Sequence, residues 1–260
     1  MSTNYYLNRL KSILGLSLSL AKADFKLRNE GSYLGIFWYL LDPLTLFIII
    51  LAISNSFVNL SNNLNANYPI YLLIGLIMFN FFRQATVLSV NVISSNSFFI
   101  KSIKVTQESL VISSILQALF SHFFEIILLI IFMIIFKVSL IGLIYYPFLL
   151  FFLLLFIIGI SFILATIGVY IIDMENVWNV LTRLLWFLTP IFYITNPGTK
   201  LYLINLFNPM FYFIEITRGF ILKSNIEFLM MALLIIGSIL IFIIGILIFN
   251  KYKDYFAEMV

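Results

Sequence analysis

The run from residue 109 to 136 constrains this chain most, because His122 and Glu125 are its only side chains with a titratable group. An α-helix needs about 20 apolar residues to cross about 30 Å of hydrocarbon, and this run exceeds that length. Five further runs resemble it, approximately 33–58, 70–93, 146–172, 177–194 and 228–249. A β-barrel strand would place a polar residue at every second position, and these runs are continuous, so helices are the expected spanning elements. The whole chain of 260 residues is 63% hydrophobic and 10% charged, with a mean hydropathy of +1.11. A soluble domain has about 45–50% apolar and about 25% charged residues, so a soluble fold is excluded. The expected fold class is an all-α integral membrane protein of six transmembrane helices. The absence of cysteine excludes disulfides and Cys-ligated metals.

Residues 1–32 precede the first run. Leu10, Leu14, Leu18, Ala21 and Phe25 recur at steps of three or four, with Lys11, Ser12, Ser19, Lys22 and Lys26 off that stripe. This pattern predicts an amphipathic helix at the membrane interface. The rival reading is a secretory signal with Ala21-Lys22-Ala23 as its cleavage site, although Ser17 and Ser19 break its apolar region. The transmembrane domain is expected to cover 33–250 and a charged tail 251–260. Within it, the connection 94–108 is polar, and the one at 195–227 is too broken to span and too apolar for an ordinary loop. Short re-entrant or external helices fit 195–227, since irregular backbone at membrane depth must be covered by protein or line a cavity. Counting basic residues with the N-terminus inside places Arg9, Lys11, Lys22, Lys26, Arg28, Lys101, Lys104, Lys251 and Lys253 in the cytoplasm. Lys137, Lys200, Arg218 and Lys223 fall outside, nine against four, so both termini are expected to be cytoplasmic.

Little chemistry is on offer. No phosphate-binding glycine loop is present, so the chain is not expected to hydrolyse ATP, and no metal site, cofactor site or nucleic-acid partner is expected on it. His122 and Glu125 are three apart on one helical face; they form either a proton relay or a satisfied polar pair between helices. Arg83 and Arg183 lie within or near spans, as snorkelling anchors or as part of a pathway.

Several stretches resemble the permease subunits of ATP-binding-cassette exporters of bacterial surface polysaccharides. They are Arg28, Leu34-Gly35, Trp38 and Pro43 before and within the first run; Tyr68-Pro69-Ile70-Tyr71, Gly75 and Asn80-Phe81-Phe82; and residues 96–101 with Ile100-Lys101. Asp173, Thr189-Pro190-Ile191-Phe192-Tyr193, Asn208-Pro209-Met210 with Glu215, Arg218 and Gly219, and the tail from Lys251 complete an ordered set along nearly the whole chain. Two positions depart from the family pattern: Ile172 stands where an Arg usually precedes Asp173, and no Pro follows Lys101.

The resemblance implies a second copy of the chain, two ATP-binding-cassette ATPase subunits that carry ATP and Mg, and membrane lipids as partners. It implies export of a lipid-linked polysaccharide, such as O-antigen or capsule, or of a teichoic-acid polymer across the bacterial inner (plasma) membrane. Asn96, Phe98, Ile100, Lys101 and Lys104 would then couple to the ATPase. Lys26, Arg28, Tyr33, Trp38 and Tyr39 would form the cytoplasmic entrance or meet the lipid pyrophosphate. Phe192, Tyr193, Tyr212, Glu215 and Arg218 would form the channel or gate. The alternatives are an exporter of a small drug or lipid and a proton-coupled carrier using His122 and Glu125. An enzyme is the least supported reading, since Asp173 and Glu175 are the one tight acidic pair.

Overall fold

Continuous apolar sequence leaves the backbone no partner but itself, and the chain answers with helices. The computed structural model describes residues 2–30, 33, 35–57, 67–102, 105–222 and 228–259, and no strand occurs among them. In order, the helices are α1 (Ser2–Glu30), α2 (Trp38–Phe57), α3 (Tyr68–Val90), α4 (Val92–Ser95), α5 (Ser97–Ser102) and α6 (Gln107–Ile135). They continue with α7 (Tyr146–Tyr170), α8 (Met174–Leu188), α9 (Lys200–Asn205), α10 (Pro209–Leu222), α11 (Phe228–Tyr252) and α12 (Phe256–Met259).

Among the described residues, Tyr68–Val90, Gln107–Ile135, Leu140–Tyr170 and Phe228–Met259 are long and apolar enough to cross a membrane, while Trp38–Ile53 is a shorter apolar helix. Helix α8 has 15 residues, about 22 Å of rise, and carries its polar and apolar residues on different faces. The expected span 177–194 therefore ends early: after Leu188 the chain is irregular through Thr189-Pro190, where the missing N–H of proline does not sustain a helix.

Helix α3 is the hub. It packs against α2, α6, α7, α8 and α10, and Ile70, Leu73, Phe79, Phe81 and Ala85 are wholly buried on it. Helix α11 lies mainly along α7 and leaves Ile236, Leu240, Ile243 and Leu247 exposed, the outward apolar face of a helix surrounded by lipid. Tail helix α12 folds back so that Phe256 is buried against Phe249 at 5.4 Å between ring centres.

The arm is one helix, and the face it turns to the bundle coincides only in part with the apolar stripe read from the sequence. Ile13, Ser17 and Ala21 are buried, whereas Leu14 (57% exposed) and Leu18 point away. Helix α1 packs along the first half of α6, with Arg9 beside Glu108 and Phe25 beside Phe120 and Phe124. Small residues allow that close approach, and the buried Ser17 hydroxyl donates to the Ile13 carbonyl at 2.7 Å, so a polar position faces the partner without cost in lost hydrogen bonds. Glu30 ends α1, and Gly35, at φ +44, turns the chain into α2 in a left-handed conformation that side chains strain.

Candidate functional site

Two adjoining cavities of about 480 Å³ and about 350 Å³ form a groove along α2, α3 and α8. They share Asp42, Asn80 and Arg83 on their walls. Toward α1 the groove is lined by Arg28, Trp38 and Tyr39; in the other direction it is lined by Arg183, Trp186 and Phe187. Helix α8 is held in place by one polar contact with α3 and one with Asn91, the residue that follows α3. The Trp178 indole donates to Thr86 Oγ1 at 3.0 Å, and the Asn91 amide donates to Glu175 Oε2 at 2.5 Å. The apolar face of α8 thereby stays outward, with Val180, Leu184 and Phe187 exposed.

The expected entrance residues divide. Arg28 and Trp38 line the groove, and Arg28 lies 5.5 Å from the centre of the Tyr39 ring. Tyr39 is buried against Phe25 at 5.5 Å, so little of its ring is free to stack on a ligand. Lys26 is exposed and paired with Glu30 one turn on, and Tyr33 is exposed. Arg83 and Arg183 both face the groove. Arg83 pairs loosely with Asp42 at 3.8 Å.

Behind the wall lies the pair that the sequence spacing singled out. His122 Nδ1 is 2.8 Å from Glu125 Oε2, and both residues are buried. His122 Nε2 meets the Tyr146 hydroxyl at 2.6 Å, the Phe81 ring stacks on the imidazole at 4.3 Å, and the Asn80 amide donates to Glu125 Oε1 at 2.5 Å. This is a closed polar network between α3, α6 and α7, each of whose side chains has a partner.

At the opposite end of the bundle from α1, an irregular segment re-enters the helices and the side chains around it cap its backbone. Four consecutive carbonyls are satisfied this way: Arg218 donates to Pro190 at 2.8 Å and to Ile191 at 2.9 Å, Tyr68 to Phe192 at 2.7 Å, and Tyr71 to Tyr193 at 3.1 Å. Arg218 is 2% exposed and also bonds Glu215 at 2.7 Å. Without those donors, these carbonyls of irregular backbone packed among helices would be unpaired. Helix α10 begins on a local signal: Asn208 Oδ1 accepts from the Met210 N–H at 3.0 Å, Pro209 fills the first helical position, and the Asn208 amide donates to Thr189 Oγ1 at 2.7 Å. Of the expected gate aromatics, Phe192 leans on Trp186 at 5.5 Å, the Tyr212 hydroxyl donates to Leu206 at 2.7 Å, and the Tyr193 hydroxyl donates to the Leu188 carbonyl. The two tyrosine hydroxyls therefore pin the local chain.

Near α1, the expected coupling segment forms the short helix α5. Ile100 is buried and α5 packs on α12, while Phe98, Phe99 and Lys101 face outward. The Asn96 amide is used within the chain, donating to the Val92 carbonyl at 2.8 Å, and Lys104 lies outside the described residues. Beside α5, Glu108 accepts from Arg9 at 3.1 Å and from Lys253 at 2.8 Å, joining arm, α6 and tail. Sequence spacing did not single out that junction, since its three residues are about 100 or more positions apart in pairs that involve Glu108.

Four helices long and apolar enough to cross a membrane, with a charged groove along α2, α3 and α8, define a multi-pass helical membrane protein. The chain belongs to the ABC-2 type transporter family, whose model matches residues 17–222. It is also similar to two O-antigen export system permease proteins RfbA of Klebsiella pneumoniae, at 23% and 24% identity, each over 95% of both chains.

Proposed function

We propose that this chain is the membrane-spanning permease of an ATP-driven exporter that moves a lipid-linked polysaccharide, or a teichoic-acid polymer, from the cytoplasm to the outer face of the plasma membrane. The observation that carries the reading is the groove on α2, α3 and α8, whose walls combine charged and apolar side chains along its length, in a chain whose family is that of ABC-2 transporters. The similarity to O-antigen export permeases over 95% of each chain supports a polymer as cargo.

In this reading α2, α3, α6, α7, α8 and α11 make six crossings, α9 and α10 form the outer re-entrant hairpin, and both termini are cytoplasmic. A second copy packs its α2 and α8 against the exposed α8 face, so that two grooves enclose one path. Arg28 and Trp38 receive the lipid-linked head group at the cytoplasmic mouth, where a guanidinium is a charge-assisted donor to phosphate oxygens. Two ATP-binding-cassette ATPase subunits, which carry the ATP and Mg, dock on α5 through Phe98, Phe99 and Lys101. Their motion reaches the groove through Glu108, which joins α6 to arm and tail. ATP binding shifts inward-open and outward-open states only through contacts that differ between them, and α5 is the element placed to make such contacts.

The deciding experiment is recovery of the tagged full chain from its own membranes in mild detergent, with mass spectrometry of its companions. A stoichiometric ATPase subunit is the expected result. The chain alone, in a preparation that keeps other complexes together, would overturn the reading and favour a carrier built on His122 and Glu125.

A further inference from the structure

Two arginines and one carboxylate face the same cavity. Arg83 is about two turns from the end of α3 and Arg183 lies beyond the middle of α8, so both are inside the helical body rather than at its ends. Ionisable groups at such positions are costly and mark pathways for charged cargo. Asp42 approaches Arg83 only to 3.8 Å, and Arg183 makes no hydrogen bond or ion pair with any described residue. The wall therefore carries two cations against one anion. Around them are Leu46, Leu76, Phe79 and Phe187. A ligand matching both features is anionic at one end and apolar at the other.

The wall is also held from behind. The Asn80 amide nitrogen is taken by Glu125, which turns the amide so that Oδ1 faces Arg83, whose guanidinium donates to it at 3.3 Å. Glu125 is in turn held by His122; with Nδ1–H given to the carboxylate, Nε2 accepts the Tyr146 O–H. Donors thus converge on the Glu125 carboxylate from both sides, from Tyr146 through His122 in the core and from Arg83 through Asn80 at the groove, and this sets where the Arg83 guanidinium sits.

We propose that Arg83 and Arg183 bind the phosphate-bearing head group of an amphipathic ligand inside the groove, and that Glu125 and His122 are positioning residues that orient Arg83 through Asn80. This deepens the reading of the groove as an export path and rests on it. The shared chemistry is a phosphate or pyrophosphate anion, carried by a lipid or free.

The test uses the full chain in nanodiscs of zwitterionic phosphatidylcholine, with tryptophan fluorescence read in a Trp178→Phe background so that it reports on Trp38 and Trp186. The probes are farnesyl pyrophosphate, farnesol and inorganic pyrophosphate. Farnesyl pyrophosphate is expected to bind saturably, and Arg83→Gln and Arg183→Gln each to weaken it about tenfold, the loss of one charge-assisted contact. Farnesol is expected to bind weakly and to be indifferent to both changes. Inorganic pyrophosphate binding as tightly as the lipid supports the anion site with a free phosphate as its ligand. Unchanged affinity in both arginine variants overturns the site. Glu125→Gln and Asn80→Ala, the latter at the half-buried groove wall, should each weaken binding in the parent chain and add no loss in the Arg83→Gln background; a full additional loss there overturns the positioning role. A purely structural contribution would not depend on Arg83. Failure of lipid binding with the ATPase still recovered leaves the export reading standing, so the two results are separable.

Discussion

The Arg218 guanidinium lies 3.3 Å from the centre of the Tyr71 ring while its Nε donates to the Tyr71 carbonyl at 3.1 Å. One side chain thus spends its planar face on an aromatic ring of α3 and its edge on carbonyls of two segments, which lysine is not shaped to do. The counting of basic residues treats Arg218 as an exterior charge, yet it is the bolt between α10, α3 and the irregular segment at 190–193. Replacing it with Met leaves the carbonyls of Pro190 and Ile191 without that donor, at about 1–3 kcal/mol for each buried group left unpaired. The expected outcome is loss of monodisperse protein on detergent gel filtration. Arg218→Lys should recover part of the loss, and equal behaviour of wild type and Met variant would refute the bolt.

Gly75 makes the same point from the other side. A Cβ there would sit 2.7 Å from the Arg218 guanidinium and 3.2 Å from the Ile191 Cα, so a methyl must displace one of them. Overpacking of this kind costs about 1–3 kcal/mol. Gly75→Ala is therefore expected to lower the thermal unfolding midpoint, read by differential scanning fluorimetry. Combining it with Arg218→Met should give less than the sum of the two single effects, because both act on one contact.

Much of this architecture is legible in the sequence. The long apolar runs of α3, α6, α7 and α11 announce themselves by length alone. The pairing of His122 with Glu125 follows from helical spacing. Three features are not legible. Periodicity finds an apolar stripe but not its partner, so it does not show that α1 turns Ile13 and Ser17, beside Ala21, to the bundle and leaves Leu14 pointing away from it. Hydropathy extends the fifth run through Ile194, although Thr189-Pro190 ends its helix and begins the capped segment. The groove itself joins Asp42, Asn80, Arg83 and Arg183 from three helices, a juxtaposition that no window along the chain contains.

Glu108 is the place where arm, α6 and tail meet, and its two partners are unequal. The Arg9 side chain is 45% exposed, whereas Lys253 is 18% exposed. Solvent-exposed ion pairs contribute about 0–1 kcal/mol, so Arg9→Ala should change little. Lys253→Ala is expected to speed amide exchange in α12 by mass spectrometry, with little change in α7. If α12 exchanges at the parent rate in both variants, the Glu108 junction does not hold the tail.

The polar attachment of α8 rests on Trp178 to Thr86 of α3 and on Asn91, just past the end of α3, to Glu175 in the first turn of α8. The Thr86 hydroxyl also donates to the Phe82 carbonyl at 2.8 Å, so it is fixed as an acceptor toward the indole. Trp178→Phe removes the donor while keeping most of the ring, at about 1 kcal/mol for a net hydrogen bond. Glu175→Ala leaves the Asn91 amide to find another partner, whereas Glu175→Gln retains an acceptor and should cost less. Because both bonds restrain one helix, the double variant Trp178→Phe with Glu175→Ala is expected to free α8 by more than the sum of the single changes. The measure is amide exchange across 174–188; strictly additive exchange rates would mean that the two bonds hold the helix independently.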